Sequence, residues 1–78
     1  MTPDQCIAAR ELLGWSREQL VTASGCRLET VTIFEMRGTR SHQSTRRKLH
    51  AAFELAGVEF IAENGGGPGV RFRKDGER

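Results

Sequence analysis

Apolar positions recur at helical spacing from the start of the chain to Gly57, then switch to strict alternation. Thr2, Pro3, Asp4 and Gln5 supply an N-cap, a first-turn proline, an acid near the positive end of the helix dipole and a capping-box partner. A first helix is therefore predicted there. It carries Cys6, Ala9, Leu12 and Leu13 on one side, has Arg10 and Glu11 beside them, and stops at Gly14, the residue best suited to a left-handed turn. Trp15 packs the corner. Ser16, with Gln19 three residues on, repeats the cap signature and opens a second helix of about two turns through Leu20, Val21 and Ser24, ended by Gly25.

A third helix is predicted over residues 27–36, with Val31 and Phe34 facing inward and Leu28, Glu29, Thr32 and Ile33 around the rest of its surface; Gly38 closes it. Ser41 or Ser44 caps a fourth helix, in which Leu49, Ala52, Phe53 and Ala56 follow i, i+3, i+4, i+7 up to Gly57. Beyond it, Val58 and Phe60 alternate with Glu59 and Ile61, and Val70 and Phe72 with Arg71 and Arg73. Period two predicts two strands, and the glycine-rich loop 64–69 between them reverses the chain into a hairpin. Residues 75–78 read as a frayed tail.

The 78 residues leave room for one domain with a modest core, which makes self-association a reasonable expectation. A net charge of +2 is too small to demand a polyanionic partner, but its distribution is uneven. Between Glu35 and Glu54 there is no acid, whereas Arg37, Arg40, Arg46, Arg47, Lys48, His42 and His50 all fall there. Such a run is either a solvated face or a nucleic-acid footprint, and it needs a second feature to decide. Cys6 and Cys26 lie in apolar stretches without a CxxC or Cys/His neighbour at metal-ligand spacing, so they read as reduced core residues. With no long apolar run and no signal-like start, the chain is expected to stay in the cytoplasm, away from membranes.

The segment 17–36 supplies that second feature. Two short helices meet across Ser24, Gly25 and Cys26, with Leu20, Cys26, Val31 and Phe34 placed to lock them together. This arrangement resembles the lambda-repressor-like, Xre-type family of helix-turn-helix regulators. The likeness is carried by Ala9-Arg10-Glu11-Leu12-Leu13-Gly14-Trp15-Ser16, then Leu20, Gly25-Cys26, Thr30-Val31 and Glu35, and spans residues 4–57. The resemblance implies a mostly α fold, a four-helix DNA-binding domain followed by a C-terminal β-hairpin. It also implies that the third helix enters the major groove while the second lies across the backbone, its N-terminus towards a phosphate.

By matching motif positions, the resemblance makes Arg27, Leu28, Glu29, Thr32 and Ile33 the base readers. Glu29 suits cytosine N4, and Leu28 or Ile33 a thymine methyl, although both apolar residues also suit extra core. Arg17, Thr30, Arg37, Thr39 and Arg40 fall where phosphates are met, and Arg46, with Arg47 and Lys48, extends that footprint unless it is simply a solvated face. Arg10 and Glu35 match an ion pair joining the first helix to the end of the third. Val21, Arg27 and Ile33 depart from the family pattern, standing where alanine, a serine cap and a polar reader are usual.

The hairpin resembles the tail of a subset of short bacterial Xre-type proteins. Since a lone hairpin is marginal in water, Val58, Phe60, Ile61, Val70 and Phe72 are expected either to build a two-fold homodimer or to fold back on the fourth helix. A dimer would read an inverted repeat on double-stranded DNA. Catalysis is not expected, because the glycine loop lacks the Lys-Ser/Thr ending and the strand-to-helix context of a phosphate loop. No metal or cofactor is expected either. The competing reading is a protein-binding adaptor, such as an antitoxin or antiactivator, on the same scaffold.

Overall fold

The computed structural model describes residues 1–38, 42–62 and 67–73. Among them the chain forms α1 (Pro3–Leu13), α2 (Arg17–Ser24), α3 (Leu28–Arg37), α4 (Gln43–Leu55), β1 (Val58–Ile61) and β2 (Gly69–Phe72). The first two helices start as their sequences dictate. Thr2 and Ser16 each accept a hydrogen bond from the backbone N–H three residues on, and the Gln5 and Gln19 side chains return the favour to the cap N–H groups. Gly25 ends α2 at φ 78°, a left-handed conformation that a β-carbon would strain, and so lets α3 turn back across α2.

The starts of the later helices differ from expectation. Arg27 is the N-cap of α3 and makes no side-chain cap hydrogen bond. Position 42, rather than Ser44, caps α4: Ser44 lies inside the first turn, while the other candidate, Ser41, lies outside the described residues. The His42 carbonyl accepts from the N–H groups of Thr45 and Arg46, which defines the turn without a side-chain cap. The final helix stops one residue before Ala56, and Gly57 at φ 95° turns the chain into β1.

The core draws on every helix: Cys6 and Ala9 from α1, Leu20 from α2, Val31 and Phe34 from α3, and Leu49, Ala52 and Phe53 from α4. Cys26 fills the corner between α2 and α3. Both cysteines are free thiols, buried as expected. Trp15 stacks on Phe53 at 5.9 Å between ring centroids, so the first inter-helix corner is sealed by an aromatic pair.

The hairpin is part of this core. Its antiparallel register pairs Val58 with Phe72, Glu59 with Arg71, Phe60 with Val70 and Ile61 with Gly69; the second strand begins one residue earlier than the alternation suggested. The face carrying Val58, Phe60 and Val70 packs inward, with β2 against α1 and β1 against α4. Phe60 lies edge-on to Phe53 and stacks with His50. Val58 is fully buried, so its side chain is core and not a dimer contact, which corrects the expectation for that residue. The physical reason is that β1 packs on α4, where burying a Val side chain gains about 1.5–3 kcal/mol. Among the described residues of the hairpin, Phe72 is the large apolar side chain that stays about half exposed, at 52%.

Gln5 fastens the hairpin to the first helix. While its Oε1 accepts from the Thr2 N–H, its Nε2 donates to the carbonyls of Ile61 at 3.1 Å and Gly69 at 3.0 Å. At the other end, Arg73 N donates to the Gly57 carbonyl and Arg73 Nη2 to that of Glu54. The expected frayed tail, 75–78, and much of the glycine loop lie outside the described residues. No helix among the described residues is long and apolar enough to cross a membrane.

Candidate nucleic-acid interface

Helical spacing sorts α3 into two faces. Val31, Phe34 and Glu35 are buried against α1 and α2, while Glu29, Ile33, Met36 and Arg37 line the opposite side. Leu28 is 43% exposed and Ile33 49%, so neither is a core residue. Met36, at 68% exposure, joins the same surface and was not among the expected readers. Arg27 and Glu29 are exposed, and Thr30 and Thr32 are half-buried at the margins of the face. As an acid in the first turn, Glu29 also complements the positive end of the α3 dipole.

Leu28 and Thr32, one turn apart, form one wall of an open recess whose other wall is the start of α2, with Ser16, Arg17 and Glu18. Cations and a carboxylate meet there, so the recess has mixed charge. Arg46 lies elsewhere, lining a second recess with Met1, Gln43, Arg47, His50, Ala51 and Glu54. Arg37 is exposed at the end of α3, and Thr39 and Arg40 lie outside the described residues.

Behind the exposed face, Glu35 gathers three elements. Its carboxylate Oε2 accepts from Arg10 Nε at 2.8 Å and Cys6 Sγ at 3.1 Å, and its Oε1 from Arg10 Nη2 at 2.9 Å and Arg17 Nε at 2.9 Å. The Arg10–Glu35 pair implied by the resemblance is thus present and two-pronged. Arg10 Nη1 also donates to the Trp15 carbonyl, carrying the link into the α1–α2 corner. The side chain of Glu35 is completely buried, that of Arg10 14% exposed and that of Arg17 32%. Four donors fill the carboxylate's acceptor sites, and no buried side-chain nitrogen or oxygen among the described residues lacks a partner.

This geometry fixes the charge states. Burial opposes ionisation of Glu35, but hydrogen bonds from Arg10, Arg17 and Cys6 outweigh it and hold the carboxyl below its ordinary range. Bonding to Glu35 pushes the Arg10 guanidinium still higher against its own burial. Burial, then the bond to Glu35, pushes the Cys6 thiol far above the ordinary thiol value, so it remains protonated.

Arg17, expected at a phosphate, is tied to Glu35 and also donates from Nη2 to Met36 Sδ at 3.5 Å. Sequence reasoning did not reach this bond or the one from Cys6. The partners lie 18 and 29 positions apart, beyond any helical spacing rule, and only the folded chain brings them together. A comparison of the sequence with protein-family models found none that matches, and a comparison with curated proteins found none either.

Proposed function

We propose that this protein binds double-stranded DNA sequence-specifically as a cytoplasmic transcriptional regulator of the lambda-repressor-like, Xre-type class, with α3 as the reading helix. The carrying observation is the solvent-facing pair Leu28 and Ile33 on a helix whose other side is locked to α1 and α2. Two apolar side chains held at the surface of a rigidly supported helix suit contact with thymine methyl groups. Arg27 and Glu29 beside them offer a donor and an acceptor for base edges, and Arg37 a cation for the backbone.

In this reading the protein acts as a homodimer on an inverted repeat. Because Val58, Phe60 and Val70 are taken up by the core, the pairing uses Phe72, exposed at the end of that same face, with half-buried Ile61 on the other face and the strand edges. Two reading helices would then meet half-sites about one helical turn apart. No catalytic step, metal or cofactor belongs to this proposal.

Exposed Met36 favours a second reading, an adaptor whose α3 face docks on a protein. The two separate by ionic strength. Duplexes selected from a random-sequence pool should show affinity that falls steeply with salt, a log–log slope of about 0.9 per phosphate neutralised. Failure to retain any duplex at low salt refutes DNA binding and leaves the adaptor reading.

A further inference from the structure

We infer that Arg17 is a positioning residue for the reading helix and not a phosphate ligand. This inference rests on the DNA-binding reading above. Arg17 is the first residue of α2, and its Nε meets the carboxylate of Glu35 in the last turn of α3 at 2.9 Å. Its Nη2 reaches Met36 Sδ, the next residue of the same turn. Two of its donors are thereby committed to α3. A phosphate drawing the guanidinium outward would compete with a fully buried carboxylate.

The start of α3 makes this tie consequential. Arg27 gives no side-chain cap, so the first turn of α3 lacks the side-chain cap that holds the starts of α1 and α2. Among the described residues, the side-chain hydrogen bonds joining α3 to α1 and α2 converge on Glu35 and Met36. Arg10 and Cys6 reach Glu35 from α1, and Arg17 alone reaches it from α2. Arg17 therefore sets the angle between the helix that spans the backbone and the helix that meets the bases. Ile33 lies two positions before Glu35, so a small rotation there moves the reader directly.

The test compares the full chain with Arg17→Gln and Arg17→Lys, at a temperature where circular dichroism shows each one folded. The probes are the tightest duplex that the wild type selects from a random-sequence pool and a scrambled duplex of equal length and composition. For Arg17→Gln, the ratio of the two affinities should fall about tenfold, comparable to one lost base contact. The salt slope on the scrambled duplex should change by less than half of the ~0.9 expected for one phosphate. In NMR titration, the Glu35 carboxyl of this variant should titrate higher. Arg17→Lys should not restore the affinity ratio, because an ammonium lacks the planar fork that spans Glu35 and Met36.

A slope reduced by a full phosphate equivalent overturns the inference, as does an unchanged affinity ratio, rescue by lysine, or an unmoved Glu35 titration. If the wild type selects no duplex, the DNA-binding reading falls and takes this inference with it. Normal selection with any of the four contrary results refutes the inference alone.

Discussion

Replacing Glu35 with glutamine keeps the side chain's size but removes the charge that Arg10 and Arg17 share. The new amide brings N–H donors to a place where four donors already point, so at least one bond becomes a clash or is lost. Breaking one partner of a buried ion pair costs about 3–5 kcal/mol. Here Arg17 is 32% exposed and Arg10 14%, so water screens part of the orphaned charge, and about 2–4 kcal/mol is expected. For a chain of this length, total stability is about 4–12 kcal/mol, which makes that a large fraction. At about 4–8 °C per kcal/mol, Tm should drop by at least about 8 °C.

The pH dependence provides an independent check. Since the folded carboxyl ionises at lower pH than the unfolded one, the unfolded chain binds the proton first as acid is added. The contribution of Glu35 is full above the ordinary carboxylate range and is lost as pH falls through the lowered folded value. Urea unfolding of the wild type from neutral to acidic pH should show this loss, and E35Q should show a flatter curve. A stability change under about 0.5 kcal/mol, or parallel pH curves, would refute the account of Glu35 as the buried hub.

Other outcomes follow from the same contacts. Val58→Ala should lower stability by about 1.5–3 kcal/mol in urea titrations, because it opens a gap in the core and not merely a dimer surface. Gln5→Ala removes a capping-box acceptor and the two donors to the hairpin carbonyls, so about 1–3 kcal/mol should be lost, with amide exchange accelerating in β1 and β2. Ile33→Ala should change Tm by little, while reducing discrimination between selected and scrambled duplexes by about 1–3 kcal/mol in competition binding. Cys6, buried and protonated, should react with a thiol reagent only as fast as the fold opens, and at the full rate in denaturant.

Much of the architecture was legible because it rests on local signals. The two S/T-x-x-Q boxes and the left-handed glycines at 14, 25 and 38 punctuate the helices, and the spacing of the core residues follows 3.6 up to Phe53. The start of α4 was misplaced because His42 caps it through its carbonyl alone, a signal no residue type announces. The hairpin's strands were visible as alternation, but not the surface they cover: Val58 reads the same whether its partner is another subunit or its own α4. The site divided similarly. Exposure of Leu28 and Ile33 was one of two outcomes that the sequence allowed, whereas the bonds of Arg17 and Cys6 to Glu35 depend on how three helices cross.

The amide of Gln5 joins positions separated by 56 and 64 residues. A growing polypeptide delivers residue 5 to solvent long before Gly69 exists, so during synthesis the first helix must wait with its clasp open. Val58, in β1, also enters the interior late, so the core shared by the four helices is completed only when the hairpin arrives. The folding transition is therefore governed by distant contacts and should be slower than that of a helical bundle of equal size. A chain ending before Gly69 would lack one of the two Gln5 clasp bonds and the β2 partner of β1, so it should unfold more readily than the full chain.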